Sequence, residues 1–174
     1  MAEDPEPAVP MVAVPVDLLR STLAAAFVAA GVSEPEGALI AESLVEAELC
    51  EVPTHGMYRV AGYLRGLRSG RYNPSATVRV VHETDVAALV DGDNALGYRP
   101  TMVAVEETLA RAQRLGMGAG GVKATNEFGR AAFYAKKIAV SGFIGLVCQN
   151  TLAMLGGPGS TAPTHGNNPL AFAT

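Results

Sequence analysis

Apolar residues recur every three or four positions through the first third of the chain and then give way to short runs, and that change of period organises the sequence. Leu18, Leu19, Leu23 and Phe27 predict a helix that Asp17 can cap and that stops near Gly31. Ser33-Glu34-Pro35-Glu36 is a second start signal, with Ser33 as cap, Pro35 in the first turn and Glu36 reaching back in a capping box. Behind it, Leu39, Ile40, Leu44, Val45 and Leu49 follow at helical spacing. A third helix is expected from about His55 to Leu67, closed by Ser69-Gly70, with a break at Tyr72-Asn73-Pro74.

Beyond residue 75 the period changes. Val78 to Val81 and Ala87 to Val90 predict two short strands around a turn at Glu83-Thr84-Asp85. Asp91-Gly92-Asp93-Asn94 is turn chemistry, and a tight turn accounts for both aspartates. Residues 99–115 predict a helix with Pro100 at its start, Met102, Val103, Val105 and Leu109 inward, and Gly116 at its end. Gly118 to Lys123 reads as a strand and Arg130 to Val140 as a helix. Phe143 to Cys148 reads as a strand buried on both faces, and Pro169 to Ala173 begins another.

This alternation predicts an α/β fold: an N-terminal helical segment followed by a mixed sheet with flanking helices. The expected organisation is a disordered leader over residues 1–14, a helical domain over 15–75 and the first part of an α/β domain over 76–174. The last apolar strand has no helix after it, so a truncated chain is expected.

Composition narrows the classes of function. Hydrophobic residues make up 49% of the 174 positions, enough for a sizeable core, while charged residues are only 17%. A net charge of −4, with no Lys/Arg cluster among aromatics, argues against nucleic acid. The N-terminus has no basic region of the signal-peptide type, and no apolar run approaches the roughly 18 residues needed to span a membrane. Cys50 and Cys148 read as free thiols of a cytoplasmic protein. His55, His82 and His165 are scattered, with no metal-ligand spacing.

The candidate chemistry lies in Thr54-His55-Gly56-Met57-Tyr58-Arg59. On a helix, His55 and Arg59 would share a face. Arginine clamps a carboxylate with two parallel hydrogen bonds. Histidine titrates near neutrality and can protonate a carbonyl oxygen as hydride reaches the carbon. The plain alternative for such a pair is surface decoration.

Several blocks occur in the order of one family. Thr54-His55-Gly56 and Arg59 come first, followed by Tyr63, then Asp91-Gly92-Asp93-Asn94-Ala95-Leu96-Gly97, Asn126-Glu127-Phe128-Gly129-Arg130, Gly142-Phe143-Ile144-Gly145 with Asn150, and Gly166-Asn167-Asn168-Pro169. Over residues 16–174 the chain resembles the malate/L-lactate dehydrogenase-like oxidoreductases, the sulfolactate and ureidoglycolate dehydrogenase superfamily, in roughly their N-terminal half. The resemblance implies a non-Rossmann NAD(P)-binding fold without GxGxxG. It implies a homodimer, with its active site at the domain and subunit junction, that interconverts a 2-oxo acid, or a cyclic imine, with a 2-hydroxy or amino acid. It gives His55 the proton, Arg59 the substrate carboxylate, and Asn150, Gly157, Pro158, Gly159, Asn168 and Pro169 the cofactor, NAD or NADP.

Three positions depart from the family pattern. Glu127 stands where a histidine is usual, and as a third candidate for acid/base work it would need burial to raise its pKa. Asn167 replaces a threonine, and Met154-Leu155 replace a proline and an aromatic residue before Gly156-Gly157. The rival expectations are an inactive member of the same fold that acts by binding or association, and a domain that senses a small carboxylate through Arg59.

Overall fold

The computed structural model describes residues 12–174. The expected leader falls largely outside them. Three helices come first: α1 (Val16–Ala29), α2 (Glu34–Leu49) and α3 (Met57–Arg68), with a single 3-10 turn at Pro53–His55 before the third. A hairpin of β1 (Arg79–Glu83) and β2 (Ala87–Asp91) follows, then α4 (Tyr98–Leu115), β3 (Ala119–Lys123), α5 (Ala131–Val140), β4 (Gly145–Cys148) and β5 (Leu170–Ala173).

The helix starts differ from expectation in detail. Pro15 precedes α1, and Asp17 lies in its first turn bound to Arg20 at 2.8 Å. The capping box does not form: Ser33 makes no side-chain cap bond, and Glu36 is turned inward, 8% exposed. Burial raises the Glu36 pKa from 4.5 to about 7, against partial relief from the Arg99 cation. A raised carboxyl pKa contributes stability that is complete below 4.5 and lost as pH climbs through about 7. Glu36→Gln should therefore stabilise the fold by about 1–2 kcal/mol at pH 8 and by almost nothing near pH 4, allowing for partial solvent screening. Denaturant melts at the two pH values check this; an equal gain at both would contradict it.

Two small sheets form. One has the order β1-β2-β3, antiparallel then parallel, with Val90 beside Val122. The other is the antiparallel pair β4-β5, with Leu146 opposite Phe172. The strand expected to be buried on both faces is buried on one. Residues of α5 pack against Val147 and Ala171, whereas Leu146 and Phe172 on the opposite face are 62% and 65% exposed. A strand with one neighbour and one covering helix has nothing to bury its second face.

Two apolar clusters make the core. The first joins Phe27, Ile40, Leu44, Tyr63, Leu67 and Tyr72 to Leu96 and Tyr98, so the helical segment packs directly onto the start of α4. The second gathers Val105, Phe128, Phe133, Tyr134 and Ile138. In it Tyr134 stacks on Phe128 and donates a 2.7 Å hydrogen bond to its carbonyl.

The turn after β2 fastens these parts together. Asp93 and Asn94 take left-handed backbone, φ 47° and 60°. The Asp93 carboxylate accepts from the Thr77 amide (2.9 Å) and the Asn73 side chain (3.1 Å), and the Asn126 side chain donates to the Asn94 and Ala95 carbonyls. The run Asp91 to Gly97 thus anchors the loop after α3 on one side and the segment bearing Glu127 on the other.

Candidate active site

His55 and Arg59 do not share a helix. The 3-10 turn ends at His55, and Gly56 leaves helical backbone at φ −103°, ψ −130°. The physical reason lies in α2: the Glu48 carboxylate reaches over and accepts the Met57 amide at 2.5 Å, capping α3 with charge. A Cβ on Gly56 would collide with that carboxylate. Two short helical pieces, set by glycine and a capping glutamate, bring His55 and Arg59 to one cavity.

That cavity, about 550 Å³, is lined by His55, Arg59, Tyr63, Arg71, Glu127, Gln149, Asn150 and Pro169 among others. The Arg59 Nε donates to the Thr54 carbonyl at 2.7 Å, which fixes the plane of the guanidinium. Its Nη1 lies 3.3 Å from the Glu127 carboxylate, to which the buried Tyr63 hydroxyl also donates at 3.2 Å. The His55 Nδ1 is 3.2 Å from the Thr54 hydroxyl. Burial lowers the His55 pKa below 6.5, and the Arg59 and Arg130 cations lower it further, against an opposing pull from Glu127.

Glu127 owes its place to Gly97. The Gly97 amide donates to the Glu127 carbonyl at 2.8 Å. A Cβ at Gly97 would meet the Asn126 carbonyl oxygen and the Phe128 Cβ, each at 2.6 Å. Only a glycine lets the two segments approach so closely.

The six cofactor candidates divide. Asn150 and Pro169 line the cavity. Asn168 has φ 40° and its side-chain oxygen accepts the Thr151 amide at 3.0 Å, so it shapes the loop while its neighbour Asn167 faces the cavity. Gly157, Pro158 and Gly159 form a tight turn closed by the Ser160 amide on the Gly157 carbonyl at 2.9 Å, with Gly159 at φ 78°. These three are not among the cavity-lining residues.

Residues 14–174 match the family described as malate/L-lactate dehydrogenase. The chain belongs to this family. Malate dehydrogenase of Pyrococcus horikoshii is 32% identical over 160 residues, 92% of this chain and 44% of that protein. The solved structure of malate dehydrogenase from Pyrococcus horikoshii OT3 overlays with a TM-score of 0.89 at 31% identity, over 92% of this chain and 46% of that one. (2R)-3-sulfolactate dehydrogenase (NADP(+)) of Chromohalobacter salexigens is 32% identical over 86% of this chain and 45% of that protein. Ureidoglycolate dehydrogenase (NAD(+)) of Escherichia coli is 30% identical over 83% of this chain and 41% of that one. The chain thus spans less than half the length of these relatives.

Family membership and the α/β fold agree with what the motif blocks implied. Among the described residues, no helix is long and apolar enough to cross a membrane. Among the lining residues that sequence reasoning missed are Arg71 and Gln149. Arg71 gave no signal, because its position over the Tyr72 ring at 5.4 Å follows from the loop after α3. Gln149 did give one: it sits directly after an apolar strand, and ligands of α/β folds gather beyond the carboxyl ends of strands.

Proposed function

We propose that the protein is an NAD(P)-dependent oxidoreductase interconverting a 2-oxo acid, or a cyclic imine, with the matching 2-hydroxy or amino acid. The observation that supports this most is that His55 and Arg59 line one cavity together with Asn150 and Pro169. The segment up to about residue 75 would supply the substrate groups, and residues 76–174 part of the cofactor wall.

The cavity residues fit a nicotinamide. The Gln149 and Asn150 amides match a carboxamide in hydrogen-bonding character, and Leu152 and Met154 offer an apolar surface to a ring. When bound, that group supplies or accepts hydride at the substrate carbon. Arg59, held by Thr54, binds the substrate carboxylate through its outer nitrogens and orients the neighbouring carbon. His55 gives a proton to the oxygen in reduction and takes it back in oxidation.

The lowered His55 pKa has a directional consequence. At neutral pH the imidazole is mostly uncharged, ready to accept the hydroxyl proton. Oxidation should rise with pH along a limb centred below 6.5 and then level off, with the opposite limb in reduction. His55→Ala should remove the limb and lower kcat by about 10²–10⁴-fold. An unchanged rate and profile in His55→Ala would contradict the assignment.

The same reading includes a homodimer in the cytoplasm, which a sedimentation mass of two chains would support. Relatives' names carry both NAD(+) and NADP(+), so competition between the two nucleotides decides the cofactor.

A further inference from the structure

We propose that Glu127 sets the charge of the substrate tail, so that the site takes 2-hydroxy and 2-oxo acids with a neutral or cationic tail in preference to those with a second anion. The inference rests on the proposed function and names the substrate class of that site.

The charged groups on the cavity wall decide it. Arg59 and Arg71 are its guanidiniums and Glu127 its one carboxylate, so two positive charges against one negative leave a single net positive charge. That balances one carboxylate. A substrate with two anionic groups would overfill it. Glu127 is also held in place: its carboxylate is 3.3 Å from the Arg59 Nη1 and accepts the Tyr63 hydroxyl at 3.2 Å. A substrate carboxylate on the outer nitrogens of Arg59 must sit beside it. A second anion within a few ångströms would be repelled by Glu127, while an ammonium, hydroxyl or amide would find an acceptor there. His55 adds little positive charge near neutral pH, and Arg130 is not among the lining residues, although its charge is felt at His55.

Malate and 3-sulfolactate, the compounds in the names of several relatives, each carry a second acidic group, whereas ureidoglycolate carries a neutral ureido group. Glu127 therefore points this chain away from the first two chemistries. At an effective dielectric between that of water and that of a protein surface, one extra charge about 5 Å away changes binding by about tenfold.

The test uses three ligands with one three-carbon skeleton: 3-amino-2-hydroxypropanoate, glycerate and 3-sulfolactate, whose tails are ammonium, hydroxyl and sulfonate. Each is titrated into the 174-residue chain at low salt, following the Arg59 Nε–H resonance by NMR. The expected affinity order is ammonium, hydroxyl, sulfonate, with about tenfold per unit of tail charge and so about a hundredfold between the extremes. In Glu127→Gln the order should collapse, and sulfolactate should bind about tenfold tighter than it does to the unsubstituted chain. Binding that disappears in Arg59→Met but keeps the same order in Glu127→Gln would overturn this proposal and leave the carboxylate site standing. Absence of Arg59-dependent binding for all three would overturn the site itself, and the proposal with it.

Discussion

Arg59→Met is expected to lower kcat/KM for 2-hydroxy acid oxidation by about 10³-fold, near 4 kcal/mol of transition-state stabilisation. The magnitude follows from what Arg59 alone provides. Its Nε is held by the Thr54 carbonyl, which fixes the guanidinium plane, and its Nη1 lies against Glu127 while the group faces the cavity. A bidentate guanidinium both binds the carboxylate and fixes the carbon that must meet the hydride. Arg71 stands farther along the wall, beside the Tyr72 ring, and cannot replace that geometry. Methionine keeps the apolar stem of the side chain, so α3 should retain its packing and the circular dichroism spectrum should not change. Most of the loss should appear in KM with part in kcat. An unchanged KM for every carboxylate tried would remove Arg59 from the site.

Gly97→Ala should damage both the fold and the site. The added methyl would overlap the Asn126 carbonyl oxygen and the Phe128 Cβ, and one of those contacts is backbone with little freedom to move. The Gly97 amide bond to the Glu127 carbonyl would lengthen as the segments separate. Overpacking of this kind costs about 1–3 kcal/mol. For a domain of this size that lowers the melting temperature by about 3–10 °C. Because Phe128 stacks on Tyr134, the disturbance should reach the second core cluster as well as the cavity. A melt and a ligand titration of the variant check both effects. A melting temperature within a degree of the parent would show that the approach of the two segments is not as tight as the glycine implies.

The parts of the fold that were legible in the sequence are those set by local pattern. The spacing of Leu23 and Phe27, of Ile40 and Leu44, and of Val105 and Leu109 announces three helices, since helical burial repeats with the helical turn. The turn at Asp91 to Asn94 was equally readable, because aspartate and asparagine tolerate the left-handed backbone it uses. What remained hidden depends on residues far apart in the chain. The break at Gly56 is imposed by Glu48 from another helix, so a continuous helix from His55 was the natural but mistaken reading. Glu36 carries the signature of a capping box, yet it is buried instead. At the site, the residue types of the His-Arg motif were visible. The contact of Glu127 with Arg59 was not, because sixty-odd residues separate them and contacts far along the chain, at Asn126 and Gly97, bring them together.

Hydride exchange between nicotinamide and a small carboxylate held by Arg59 is the step on which the proposed function rests. Its most direct measurement mixes the protein with NADH or NADPH and a panel of 2-oxo acids, follows loss of the reduced nicotinamide, and repeats the assay with His55→Ala and Arg59→Met. Consumption is expected to require a 2-oxo acid and to fall sharply in both variants. Saturable, Arg59-dependent carboxylate binding with no consumption of either nucleotide would contradict it and leave a binding domain in its place.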